Sequence, residues 1–117
     1  MPAVVLALCA IVLALLGEAA PASAKSARDL FAACSSLYDK GDMPNAAKAC
    51  DQAIIAEPGN ADAYFLKGSA LYRSGKRVGG KLTVPSGTAD TLRRYLELAP
   101  DGRYARDAQD MLRAMQQ

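Results

Sequence analysis

The chain repeats itself at an offset of 34 residues, and this constrains its fold more than any other feature. The shift lays Ala27 on Ala61, Phe31 on Phe65, Ser35 on Ser69, Leu37 on Leu71, Tyr38 on Tyr72 and Gly41 on Gly75. Six identities fall within the 15 positions from 27 to 41. Self-similarity at a fixed offset points to a repeated supersecondary unit that buries its apolar face against a neighbouring copy.

Within each copy the apolar spacing is helical. Leu30, Ala33, Cys34 and Leu37 stand at i, i+3, i+4 and i+7, and Tyr64, Gly68 and Leu71 take the matching face in the second copy. Lys40-Gly41-Asp42 places a glycine at a helix C-terminus and an N-capping carboxylate directly after it. Pro44 then falls in the first turn of the next helix, where its missing N–H has no intrahelical partner. Ala46, Ala49, Cys50, Ala53 and Ile54 supply that helix with an apolar face, and it ends near Glu57-Pro58. Asn60 caps the following helix.

Helix, turn, helix and a closing proline in 34 residues resemble the tetratricopeptide repeat. Across 27–60 the resemblance rests on Leu30 at the large apolar position, Leu37 and Tyr38 at the aromatic end of the first helix, Ala46 and Ala53 at the two small positions, and Pro58. Cys34 stands where the family has a small residue, and Gly68 restores that residue in the second copy, with Tyr64 at the large position. The second copy, 61–102, departs from the pattern. Its closing proline is expected at position 92 and stands at 100, an insertion of eight residues placed around 74–87, where Gly75, Gly79, Gly80, Pro85 and Gly87 break regular structure. A helix resumes over Thr88–Leu98, with Tyr95 where the family has a small side chain. A last helix over 103–115 presents Tyr104, Ala108, Met111, Leu112 and Met115 on one face, as a cap on the stack would. The resemblance implies an all-α domain over 25–117: antiparallel helix pairs stacked as a short right-handed solenoid with a C-terminal capping helix. Two repeats are few for such a stack, so a disulfide or a homo-oligomer would help to hold it.

The N-terminus reads as an address. Ala3 to Leu16 is an unbroken run of 14 apolar residues. As a helix it would span about 21 Å, short of a ~30 Å bilayer core. Ala22-Ser23-Ala24 then offers a small-x-small cleavage site, so residues 1–24 are expected to be a secretory signal peptide and the bacterial periplasm the destination. No Lys or Arg precedes the run. The alternative for 3–16 is a buried core helix. Cleavage would leave Cys34 and Cys50, an even count that permits one disulfide in an oxidising compartment; the alternative is a pair of buried thiols.

Phe31, Ser35 and Tyr38 share one face of the first helix, and Phe65, Ser69 and Tyr72 repeat it. In the tetratricopeptide family this side lines the concave groove that receives a peptide or helix of another protein. The resemblance therefore makes Arg28, Phe31, Ser35, Tyr38 and Asp39 partner-binding candidates, with Asp62, Phe65, Ser69, Tyr72 and Arg73 as the matching set. Read from the residues alone, the same aromatics can equally pack between neighbouring helices.

Charge is unevenly spread. Residues 67–94 hold seven bases (Lys67, Arg73, Lys76, Arg77, Lys81, Arg93, Arg94) against Asp90 alone, while the flanking segments are slightly acidic. Lys76, Arg77, Lys81, Arg93 and Arg94 form a candidate basic patch for an anionic polymer or membrane of the envelope, or simply a solvated face. Bases and aromatics do not interleave as nucleic-acid binding asks, and the address points outside the cytoplasm, so no nucleic-acid partner is expected. Gly75 to Lys81 spells G-x-x-x-x-G-K, yet a helix precedes it and Leu82 occupies the Ser/Thr position, so it is not read as a phosphate-binding loop. The chain has no His, which leaves its serines and cysteines without an imidazole base and removes the commonest metal ligand. No catalytic site, cofactor or metal is expected. The expected function is docking of another protein, with the basic-patch adaptor as the alternative.

Overall fold

The first three helices each open on a side-chain cap. The Ser26 hydroxyl accepts from the Asp29 N–H at 3.1 Å and opens α1, Ala27–Asp39. The computed structural model describes residues 25–117; the signal peptide, its cleavage site and the core-helix alternative expected within 1–24 lie outside the described residues. Gly41, at φ +82°, closes α1 in the left-handed region. The Asp42 N–H reaches back to the Leu37 carbonyl at 3.0 Å, which satisfies an otherwise orphaned acceptor. Asp42 also caps α2, Met43–Ala56, accepting from the Asn45 N–H at 3.4 Å and from its side-chain amide at 2.8 Å. Asn60 caps α3, Ala61–Arg73, through the Ala63 N–H at 3.4 Å. The remaining helices are α4, Thr88–Leu98, and α5, Ala105–Met115.

The all-α expectation needs one correction. Between α3 and α4 the chain forms an antiparallel hairpin, β1 (Lys76–Val78) and β2 (Lys81–Thr83), paired Lys76 to Thr83, Arg77 to Leu82 and Val78 to Lys81. Gly79 and Gly80, at φ +60° and +81°, supply the two left-handed residues that the tightest hairpin turns require. Lys76 to Thr83 is eight residues, the same as the excess length of the second copy. The described residues are thus mostly helical, with one small sheet.

Consecutive helices pack on one another from α1 through α5, and α1 also touches α3 directly. Contacts among α1, α2 and α3 are made by small buried side chains: Cys34, Ala46, Cys50, Ala53, Ala63 and Ala70. Ala33, which the apolar stripe placed on the buried side, faces solvent; the buried side of α1 centres on Cys34, with Phe31, Leu37 and Tyr38 half-buried. Gly68 brings α3 and α4 close, since a Cβ there would stand 2.7 Å from the Leu92 Cδ2.

Tyr95, out of place by family pattern, is fully buried at the centre of the second half. Its hydroxyl accepts from the Tyr104 N–H at 2.9 Å, and Gly102 leaves the space that a Cβ would take from it. Phe65 stacks on Tyr104 with centroids 4.2 Å apart and meets Tyr95 at 5.5 Å in a tilted geometry. These three rings join α3, α4 and α5.

Cys34 and Cys50 face each other across α1 and α2, fully buried, with Cα atoms 4.7 Å apart and sulfurs at bonding distance. A bridge closing this short loop restricts the unfolded chain and contributes about 2–4 kcal/mol. Reduction should therefore lower the urea midpoint by a corresponding amount without changing the helical signal beforehand. An unchanged midpoint would show that the two sulfurs are not bonded.

Candidate functional site

Only part of the predicted partner-binding set is available to a partner. On α1, Arg28 and Asp39 are exposed and Phe31, Ser35 and Tyr38 half-buried, in a line along the helix. On α3 the matching set is largely engaged inside the fold. Phe65 is 4% exposed and Ser69 fully buried, so both are corrected from partner-binding candidates to core residues. Phe65 is held by Tyr95 and Tyr104, and Ser69 by a 2.7 Å hydrogen bond between its hydroxyl and that of Tyr38. Asp62 receives Arg103 at 2.9 Å, and the same guanidinium lies over the Tyr104 ring at 4.7 Å. Arg73 lies over the Tyr38 ring, 5.5 Å from its centroid, and remains exposed. Tyr72 is half-buried.

The Tyr38–Ser69 bond carries the most structural information of these contacts. It joins two residues 31 apart in sequence, one from the first helix of each copy, and fixes α1 beside α3. A buried hydroxyl without a partner would cost about 1–3 kcal/mol, so this contact sets register between the helices. The face that remains open consists of Arg28, Phe31, Ser35 and Asp39 on α1, with Tyr38, Tyr72 and Arg73 at its α3 side. It mixes aromatic edges with both signs of charge.

Ion pairing divides the predicted basic patch in two. Arg93 pairs with Asp90 at 3.1 Å and Arg94 with Glu97 at 2.8 Å, both on α4. Glu97, and after it the Tyr64 hydroxyl, hold the Arg94 guanidinium still more firmly protonated than usual. Lys67, counted in the same basic stretch, pairs with Asp51 at 2.6 Å across α2 and α3. Lys76, Arg77 and Lys81 are all exposed on the hairpin, and among the described residues none of the three is in an ion pair.

A feature the sequence did not reveal is an open depression of about 450 Å³ between α2, α3 and the chain entering α4. Ala47, Leu71 and Pro85 form its apolar wall, and Asp51, Lys67 and Ser74 its polar one. None of the ten predicted partner-binding residues lines it. The Lys67–Asp51 pair spans this site, so its two charges already neutralise each other. No signal in the pattern could have found the depression, because it depends on where the segment after the hairpin comes to rest. Among the described residues no three His, Cys, Asp or Glu side chains converge as metal ligands would.

Comparison with protein-family models, with curated proteins and with solved structures finds no match. The function of this chain has to be read from its own residues.

The exposure pattern separates core from surface in a measurable way. Phe65→Ala should cost about 3–5 kcal/mol in urea unfolding, as truncation of a buried ring does. Arg28→Ala, on the open face, should stay within about 0.5 kcal/mol of wild type. A Phe65→Ala chain as stable as wild type would contradict the assignment of that ring to the core.

Proposed function

We propose that this chain is an exported protein-interaction module of tetratricopeptide type, acting in the cell envelope as a scaffold or assembly factor. The observation that carries the reading is the side-by-side packing of α1 and α3, the first helices of the two sequence copies, with Tyr38 bonded to Ser69 between them. Helix pairs related in this way form a short stack, and α5 closes it by bringing Tyr104, Ala108, Met111 and Leu112 to the core. The right-handed solenoid is the arrangement that the resemblance implies for such a stack.

The partner is another protein, met as a peptide or helix along Arg28, Phe31, Ser35, Tyr38, Asp39, Tyr72 and Arg73. Arg28 and Asp39 stand at opposite ends of α1, so a bound segment with charges of opposite order would be set in one direction. The chain acts by holding its partner and carries out no reaction of its own. Export into an oxidising compartment such as the periplasm accords with the Cys34–Cys50 pair, since cytosolic thiols are kept reduced.

The test is capture from a cell-envelope extract with the full chain as bait. A chain carrying Arg28→Glu and Tyr72→Ala, with unchanged circular dichroism, serves as comparison. A specific protein retained by wild type at high salt and lost with the double variant is the expected result, because docking on aromatic edges outlasts the screening of charge. Equal capture by both chains would contradict the groove.

A further inference from the structure

The geometry points to the β1–β2 hairpin as a membrane-contact arm that seats Val78 in the headgroup layer of an anionic bilayer, with Lys76 and Lys81 against lipid phosphates. This inference is independent of the groove on α1 and α3. It starts from the division of charge described above: Arg93, Arg94 and Lys67 have carboxylate partners, whereas Lys76, Arg77 and Lys81 have none among the described residues. No acidic residue stands between Asp62 and Asp90 in the sequence, so the arm has no local counter-charge.

The hairpin register adds an apolar element to that charge. Directly paired residues share a face, and side chains alternate along each strand. Lys76, Val78, Lys81 and Thr83 therefore lie on one face, and all four are exposed. Arg77 and Leu82 lie on the other, where Leu82 is half-buried. The outer face is thus a valine flanked by two lysines. Val78 is 68% exposed, and only one other large apolar side chain among the described residues, Ile55, is exposed to that degree. Gly79 and Gly80 form the tip without side chains, which lets the backbone approach a surface closely.

At the root of the arm a Cβ on Gly75 would meet Val84 Cγ1 and the Tyr72 carbonyl at 2.9 Å each, and the Thr88 hydroxyl donates to the Pro85 carbonyl at 2.6 Å. Lysines alone would serve an acidic polymer or an acidic peptide. An exposed valine between them adds an apolar contact, and a bilayer offers that order of layers, phosphate above acyl chain, over a continuous surface. Among the described residues no helix is long and apolar enough to cross a membrane.

The chain contains no Trp, so a single introduced indole reports its own surroundings. The full chain carrying Val78→Trp is titrated with phosphatidylcholine vesicles, with and without about one-third phosphatidylglycerol; Ile55→Trp, on α2, is the control. The expected result is a blue shift of the Val78→Trp emission, with quenching by brominated acyl chains, on anionic vesicles only, while Ile55→Trp is unchanged. Each base near such a surface is worth roughly fivefold in partitioning. Adding Lys76→Ala and Lys81→Ala to Val78→Trp should therefore weaken the response by about 25-fold. An absent shift at position 78, equal shifts of both reporters, or a response indifferent to the two lysines would overturn the proposal. So would binding of soluble polyglutamate through the same bases while the indole stays in water on every vesicle, which would assign the arm to an acidic polymer or protein.

Discussion

Where α1, α2 and α3 meet, many of the buried side chains are too small to hold the helices apart. Cys34, Ala46, Cys50, Ala53, Ala63, Gly68 and Ala70 occupy the contacts from α1 to α4, and a methyl group at Gly68 would already collide with Leu92. Close approach of this kind yields well-packed interfaces, since interiors reach the density of organic crystals. It also leaves little apolar area per residue, and small domains have little to spare. The first half compensates with the Cys34–Cys50 pair. The second half compensates with Phe65, Tyr95 and Tyr104, whose rings supply the area that its small neighbours lack.

The same constraint decides which surfaces are left for function. Because α1 and α3 lie close, Tyr38 reaches Ser69 and its ring becomes a wall between them, with Arg73 resting on it. What remains open is the α1 side of that wall, with Tyr72 and Arg73 at its α3 edge. The hairpin does not share this packing; it meets the body at its root, and its outer face makes none of the ion pairs that engage Lys67, Arg93 and Arg94. The proposed partner docking and the proposed membrane contact therefore fall on separate surfaces.

Much of the helical framework was legible in sequence because its signals are local. Gly41, Asp42, Pro44 and Asn60 each act within one turn of their own position, and each occurs where its chemistry requires. The hairpin was not legible, since two strands of three mostly exposed residues show no apolar alternation; the Gly79-Gly80 pair between them was the available signal. Phe65 and Ser69 were misplaced for a different reason. Identity with Phe31 and Ser35 gives equivalent positions but not equivalent neighbours. Phe65 is enclosed by Tyr95 and Tyr104 from later elements, and Ser69 is covered by Tyr38. Tyr95 likewise broke the family pattern because Gly102, seven residues on, makes the room for its hydroxyl.

The central claim is that the first helices of the two copies lie side by side in one register. A double-mutant cycle in urea unfolding, using Tyr38→Phe, Ser69→Ala and the pair, tests it most directly. A coupling of about 1 kcal/mol is expected, because either single change removes the same part-buried hydrogen bond. Strict additivity, with no coupling between positions 38 and 69, would contradict it.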